Sequence, residues 1–505
     1  LKLIRYLDKY LNKITMLRQL VYTLAIFIAA AIILSLFKSL PQSPAGIALS
    51  LSILIVTCYV SNRAFATIFE VPTNSESWLI TALILCLILM PSTSRHQLGL
   101  IGLAGIIAMA SKYLLAYRRK LIFNPAAFAA IVLGLTKLLP AVWWIGSPVM
   151  MPLTLIFGFL ILRKIRRFQL FLSFLLASLV VAFNVGAMHS QTTGYILSTI
   201  FKSSPLIFLG TIMLTEPETS PPTIWTQRIY GLIVGAIFSS QLRVGIVSAT
   251  PEMALIVGNI FSFAVSPRYK LLLHLKSKKR LAPNIYDFTF VSSKKVKFNA
   301  GQYMEWTLPN IKFDSRGNRR SFSIASAPGS NELHVAIKAF DKGSNYKQAL
   351  ISLNEGDSII AGHLGGDFTL PKDKKQKLAF IAGGIGITPF VSMVEQIVKL
   401  QQKCDIVLFY IVSDASELCY KQLWQDAAQF GVVVIPLLGS TNPDPSWQGL
   451  IGRIDKDVLK DNAKDYEDRL YYLSGPIGLV ENYRQLLLSL GIKRQLIKAD
   501  HFSGY

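Results

Sequence analysis

Two short runs in the C-terminal half carry residue types suited to handling nucleotides. Arg320-Ser321-Phe322-Ser323-Ile324-Ala325-Ser326 places a cation, an aromatic ring and hydroxyls on one extended segment. Such a strand supplies a phosphate contact, a ring to lie against an isoalloxazine, and a hydrogen bond to the reactive edge of that ring system. Phe380-Ile381-Ala382-Gly383-Gly384-Ile385-Gly386-Ile387-Thr388-Pro389 follows an apolar strand directly. Its glycines let the backbone approach a pyrophosphate, Pro389 suits the first helical position, and the helix start attracts the anion. A plain strand-to-helix turn has the same glycines, so neither run decides the matter alone.

Elements must hold these runs in place. From about 271 the chain reads as short strands, among them Ile285–Phe290, Gly301–Trp306 and Leu333–Lys338. Strands at such intervals, separated by turn residues, predict an antiparallel β-barrel over 271–373. Afterwards apolar strands at Leu378–Ala382, Ile406–Val412 and Leu470–Leu473 alternate with helical stretches, which predicts a doubly wound α/β domain over 374–505. Beyond the second of these strands stands Asp414, where an acid favours a free ribose hydroxyl and repels a 2′-phosphate. Ser413 and Lys421 pull the other way, so the sequence leans to NADH and leaves NADPH open.

In this order, about sixty residues apart, the two runs resemble the ferredoxin–NADP reductase superfamily, and the likeness extends over 271–505. Gly343-Ser344 with Lys347 resembles the family's FAD-pyrophosphate loop. Ser474-Gly475-Pro476 resembles its Cys-Gly-Pro nicotinamide motif, and Tyr505 matches a terminal tyrosine that stacks on the flavin. The resemblance implies FAD held by Arg320, Ser321, Phe322, Ser323, Lys338, Gly343, Ser344, Lys347 and Tyr505. It implies NAD(P)H held by Gly383, Gly384, Gly386, Ile387, Thr388, Pro389, Asp414, Ser474, Gly475 and Pro476, with Ser323 and Ser474 nearest the reacting centre. Phe322 replaces the usual Tyr, and Ser474 the usual Cys, so a phenol hydrogen bond and a thiol are both missing.

The first 270 residues are of another kind. They hold 22 basic and 6 acidic residues, against 30 and 23 in the remainder, and most of the apolar excess of a chain that is 52% apolar overall. Apolar runs near 20–40, 46–69, 76–92, 97–117, 123–139, 149–163, 169–187, 193–214, 229–243 and 251–267 predict a polytopic all-α membrane domain of about ten spans. With the N-terminus cytoplasmic, 17 basic residues fall in inward loops and 4 outside. That bias places both the N-terminus and everything after Lys270 in the cytoplasm, in a bacterial inner membrane. The apolar segment after the early basic residues is too long for a signal-peptide core and predicts an uncleaved first span. The net charge of +23 therefore reflects loops at a lipid surface rather than nucleic-acid binding.

Metal and heme find little support here. Cys58, Cys86, Cys404 and Cys419 form no CxxC pair, which gives no basis for an iron–sulfur cluster, a zinc site or a disulfide framework. A heme module needs paired histidines within its helices, whereas only His96 and His189 occur in the apolar half, both at predicted outer loops. Polar residues in or beside apolar spans raise a functional question. Lys202 sits in Phe201-Lys202-Ser203-Ser204-Pro205, either in a broken helix or on an amphipathic one reaching water; Lys112, Asn124, Thr215 and Glu216 lie at the inner edge.

Lys112 before Phe123-Asn124-Pro125-Ala126-Ala127, then Thr215-Glu216-Pro217-Glu218-Thr219-Ser220, then Pro251 and Asn259, resemble the NqrB/RnfD family of membrane subunits over most of 70–267. That resemblance implies a ten-span flavin-binding scaffold that passes electrons. The family's flavin-bearing threonine loop has no counterpart between Leu139 and Val149, and Ser248-Ala249-Thr250 matches it in letters alone. A non-covalent FMN or riboflavin, or a quinone, stays open for the scaffold. Together the resemblances imply a membrane-bound oxidoreductase taking electrons from NAD(P)H through FAD to a flavin or quinone among the spans, and they leave further electron-transfer subunits open as partners. The alternatives are an anchored diaphorase with a soluble acceptor and a flavin or small-molecule carrier coupled to a reductase.

Overall fold

The computed structural model describes Leu11 and residues 14–70, 75–118, 120–244, 247–267, 270–308, 318–340, 344–439 and 447–502. The chain divides into two compact units, Leu1–Lys270 and Leu271–Tyr505.

Helices build the first unit: α1 Met16–Leu36, α2 Pro44–Ile68, α3 Ser75–Ile88, α4 Arg95–Leu114, α5 Pro125–Leu135, α6 Met151–Ile165, α7 Phe168–Met188, α8 Thr193–Lys202, α9 Leu206–Met213, α10 Ile224–Ser239 and α11 Pro251–Val265. Side-chain oxygens of Thr15, Ser43, Asn124, Thr192 and Thr250 start five of them by accepting first-turn N–H groups. Proline opens α2, α5 and α11, where its missing N–H is no loss.

A pattern recurs within this unit. Helices α1 to α4, a hairpin of β1 Ala116–Tyr117 with β2 Lys120–Leu121, and short α5 are followed by α6, α7, the bent pair α8/α9, α10, a hairpin of β3 Arg243–Val244 with β4 Val247–Ser248, and short α11. In each half the second helix packs on the one before the hairpin, which packs on the short helix after it. The halves meet through equivalent elements, α1 against α6 and α5 against α11.

The number of membrane crossings needs correction. Among the described residues α1, α2, α4 and α7 are long and apolar enough to cross a membrane, and a fifth passage arises if α8 and α9, bent by 57°, count as one. The expected ten apolar runs run on past the ends of their helices. Helix α3 stops at Ile88, where Leu89 bridges to Ala141, and α5 spans 11 residues, short of the ~17 that a crossing needs.

The second unit begins with six antiparallel strands: β5 Leu271–Ala282, β6 Ile285–Ser292, β7 Tyr303–Thr307, β8 Arg319–Ser323, β9 Glu332–Lys338 and β10 Ser358–Gly365. Their order is β8-β7-β10-β5-β6-β9. No ladder joins the edge strands β8 and β9 among the described residues, so this is an open sheet and not the closed barrel the sequence predicts. The chain leaves β8 at Ser323, and a lone backbone bond, Ala325 N–H to His334 O at 2.8 Å, reaches across. Helix α12, Asn345–Ile351, buries Tyr346 and Leu350 in the core with Phe288, Phe290 and Trp306.

A parallel sheet of order β14-β13-β12-β11-β15-β16 follows, from β11 Leu378–Gly383, β12 Ile406–Val412, β13 Val432–Leu438, β14 Leu450–Ile451, β15 Leu470–Pro476 and β16 Ile497–Phe502. Helices α13 Thr388–Lys399, α14 Lys421–Ala428, α15 Lys456–Asn462 and α16 Ile477–Ser489 alternate with its strands. Every residue of β11 is buried, as expected for a parallel strand covered on both faces. The chain runs outward from β11 to β12 and β13, then returns to β11's other side at β15. Ligands bind open α/β sheets where the strand order reverses in this way.

Candidate functional site

Strand β8 sorts the first run of candidates by its two-residue period. Arg320 and Phe322 pair across β7 with Trp306 and Met304, while Ser321 pairs with Glu305 and Ser323 with Tyr303. The Arg320 guanidinium lies 5.1 Å from the centroid of the Tyr346 ring, and the Phe322 ring lies 5.9 Å from the same ring. Tyr346, not singled out in the sequence, is fixed by its hydroxyl, which donates to Trp306 O at 3.0 Å. Next to it Ser344 caps α12 by accepting the Lys347 N–H at 3.4 Å. The Lys347 ammonium donates to Lys338 O at 2.9 Å, and Lys338 itself pairs with Glu417. Arg320, Phe322, Ser344 and Lys347 thus gather around the start of α12, whereas Ser321 is exposed and Lys338 is spent on an acid. Gly343 and Tyr505 lie outside the described residues.

The nucleotide candidates converge from two distant segments. Parallel pairing sets Ala382 of β11 opposite Ser474 of β15. A Cβ on Gly386 would stand 2.5 Å from Ser474 O, and one on Gly475 would stand 3.1 Å from Gly383 O. Gly384 has φ +52 and open space beside it. Ile387 and Thr388 are buried, Pro389 lies in the first turn of α13, and the Thr388 hydroxyl donates to Ile385 O at 3.2 Å. No acid occupies that first turn, so its N–H groups face no competing charge. Asp414 is exposed after β12, its Oδ1 accepting the Ser416 N–H at 2.8 Å and the Ser416 hydroxyl at 2.6 Å.

Among the described residues, Ser323 Oγ and Ser474 Oγ are two of the buried hydroxyls without a hydrogen-bond partner. Leaving a buried hydroxyl unmatched costs about 1–3 kcal/mol, so both fit a bound polar ring edge. The glycine turn, with no Cβ at its closest approaches, fits a pyrophosphate. FAD, when bound, supplies the exchange between two-electron and one-electron chemistry; Arg320 and Ser323 are the residues that would hold and orient it, and the glycine turn and Ser474 those that would receive the nucleotide. Cys404 and Cys419 take no part as thiolates, because burial pushes both thiols up to about 11.

The first unit has its own polar node. Asn124, the cap of α5, donates from Nδ2 to Glu216 at 2.6 Å, and its N–H donates to Asn259 Oδ1 at 2.9 Å. Asn259 donates to the buried Tyr230 hydroxyl at 3.1 Å, and Thr219 donates to Glu216 at 3.2 Å. Thr215 is buried beside this node, and its carbonyl accepts from Arg167. Lys112 donates to Ser77 Oγ at 2.8 Å. Lys202 ends α8 exposed, at the break where α8 and α9 bend by 57°. Tyr230, which the sequence did not mark, completes a node whose other members, Asn124, Glu216, Thr219 and Asn259, lie in the motifs quoted for the resemblance. Thr250 spends its hydroxyl as the cap of α11.

An antiparallel sheet with a cation and aromatic cluster, joined to a parallel sheet whose glycine turn sits at the reversal of strand order, defines a nucleotide-dependent oxidoreductase module. The chain matches the oxidoreductase NAD-binding domain family over residues 380–485. It is 31% identical over 230 residues to a probable flavin reductase of Photobacterium leiognathi, covering 43% of this chain and 93% of that protein. It is 28% identical over 235 residues to the phenol hydroxylase P5 protein of Acinetobacter pittii, covering 44% of this chain. It is also 29% identical over 230 residues to the stachydrine N-demethylase reductase subunit of Rhizobium meliloti, again covering 44%. Of these last two the chain spans 63% and 64%, less than two thirds of either. The chain belongs, through its C-terminal unit, to the ferredoxin–NADP reductase-type family of NAD(P)H-dependent flavoprotein oxidoreductases.

Proposed function

We propose that this chain is a membrane-bound oxidoreductase that draws electrons from NAD(P)H through FAD and delivers them to a flavin or quinone held by residues 1–270. The observation that carries this reading is the node of Asn124, Glu216, Asn259 and Tyr230, built into an apolar helical unit on the same polypeptide as a reductase. Buried polar groups among apolar helices are costly and mark functional positions. The NqrB/RnfD-like motifs, which contain Asn124, Glu216 and Asn259, support the same reading. In it, 271–373 holds FAD, 374–505 holds NAD(P)H with NADH preferred through Asp414, and the reductase unit faces the cytoplasm of a bacterial inner membrane. Covalent fusion makes delivery intramolecular, at an effective concentration that a soluble partner does not reach.

Two relatives named as parts of other enzymes, a phenol hydroxylase protein and the reductase subunit of a stachydrine N-demethylase, favour a second reading. There the apolar unit only anchors the reductase, and a separate protein takes the electrons. Flavin stoichiometry of the detergent-purified chain separates the two. Two flavins per chain, one retained when Arg320→Ala strips FAD, support internal delivery. One FAD and no reduction of a quinone analogue leave the anchored reductase.

A further inference from the structure

The loop leaving β8 is tied to the helix α13 by hydrogen bonds from successive turns. Ser392, wholly buried one turn into the helix, donates from Oγ to Ser326 O at 2.7 Å. Glu395, nearly a turn further, accepts the Ala327 N–H at 2.9 Å. The loop is pinned from its other side as well, because Ser326 Oγ accepts the His334 N–H at 3.2 Å from β9. Ser326 lies three residues beyond Ser323, and Ser392 four beyond Thr388 at the end of the glycine turn. Lys399, one turn beyond Glu395, donates to Pro328 O at 3.5 Å, and on the core side Phe368 and Ala325 pack with Phe390. Apolar contact is non-directional and tolerates sliding, whereas these hydrogen bonds fix a register.

We infer that Ser392 and Glu395 are positioning residues, a clamp that sets the distance between the glycine turn and Ser323. Glu395 is half-buried. Burial raises its pKa against the effect of the Ala327 N–H, and the side chain shares its surroundings with His334 on β9, Asp287 on β6, Lys399 on α13 and Tyr420 ahead of α14. The directed bond to the loop backbone is what the acid adds, and misplacement of about 1 Å between reacting groups costs up to about 100-fold in rate.

The clamp rests on the reading of Ser323 and the glycine turn as the flavin and nucleotide sites. Its test uses the full-length, FAD-loaded chain and three variants, Glu395→Ala, Glu395→Gln and Ser392→Ala. Two quantities are read: amide hydrogen exchange in the peptide containing Ala327, and the limiting rate and Kd of flavin reduction by NADH in stopped flow. Glu395→Ala is expected to speed exchange about 10-fold and to lower the limiting rate about 10-fold, with FAD content and Kd within about 2-fold. Glu395→Gln, whose amide oxygen still accepts the Ala327 N–H, restores most of both. If Glu395→Ala loses FAD, Ser392→Ala decides by the same two numbers. A wild-type limiting rate in the alanine variant, or a glutamine variant as slow as alanine, overturns the clamp. A wild-type flavin that neither NADH nor NADPH reduces overturns the site reading itself.

Discussion

Gly386→Ala separates a close approach from mere flexibility at the nucleotide turn. The added Cβ would meet Ser474 O at 2.5 Å, Gly475 Cα at 2.6 Å and Gly475 N at 2.7 Å. All three are backbone atoms, so no rotamer change relieves the overlap. Ordinary contact begins at 3.4 Å, which requires the turn and the end of β15 to part by about 0.9 Å. Both sides are held by the parallel ladder from Leu378 opposite Leu470 to Ala382 opposite Ser474. Overpacking of this kind costs about 1–3 kcal/mol, or roughly 5- to 150-fold in NADH affinity if the whole strain falls on the turn. Gly384 gives the control for folding, because φ is +52 and a Cβ there meets no protein atom within 4 Å. Asparagine tolerates that region, so Gly384→Asn should melt close to wild type, whereas Gly386→Asn should be no better than Gly386→Ala. Calorimetric titration with NADH and a thermal melt of each variant measure both quantities. Equal behaviour of the two positions would refute the argument from close approach.

Further outcomes follow from the same geometry. Arg320→Ala should weaken FAD retention by roughly 10- to 150-fold, the equivalent of losing a charge-assisted hydrogen bond of about 1.5–3 kcal/mol, measured as flavin absorbance after gel filtration. Asn124→Ala removes the cap of α5 and the amide that meets Glu216, and should cost about 2–4 kcal/mol from the two losses together, seen as a lower melting temperature in detergent. Burial draws the His334 pKa down, but the hydrogen bond and charge of Asp287, with Glu395 and Glu332 nearby, outweigh it and leave the imidazole raised. Its contribution to stability is therefore full below about pH 6.5 and lost as pH rises through the folded value. The stability gap between wild type and Asp287→Asn in denaturant melts should be wider at about pH 6 than at about pH 8.5.

The glycine turn was legible because its signal is local: an apolar strand, three glycines, then Pro389 at a helix start. Its meeting with Ser474 and Gly475 depends on strand order, which no spacing reports; the resemblance alone suggested it. The period of β8 set Arg320 and Phe322 apart from Ser323, yet Tyr346, which receives both, sits on a helix whose packing only the fold decides. Closure of the first sheet was misjudged because strands at regular intervals serve an open sheet and a barrel alike. Hydropathy located the apolar runs but not the ends of the helices, since Leu89, Leu138 and Leu214 are as apolar as the helical residues before them. The recurring order in the first unit left almost no trace, the Asn124-Pro125 and Thr250-Pro251 starts of α5 and α11 being the chief likeness between the halves.

The placement of β15 between β11 and β16 also governs when the enzyme comes into being. A ribosome adding about 5–20 residues per second takes about 5–20 s to travel from Gly383 to Ser474. During that interval β11 has β12 on one side and nothing on the other, and the glycine turn lacks the backbone against which Gly386 closes. A chain released between residues 365 and 470 carries the whole apolar unit and the whole antiparallel sheet but lacks the strand against which the glycine turn closes. In the proposed route, consumption of reduced nucleotide thus begins only after residues 1–270, which would receive its electrons, have been made.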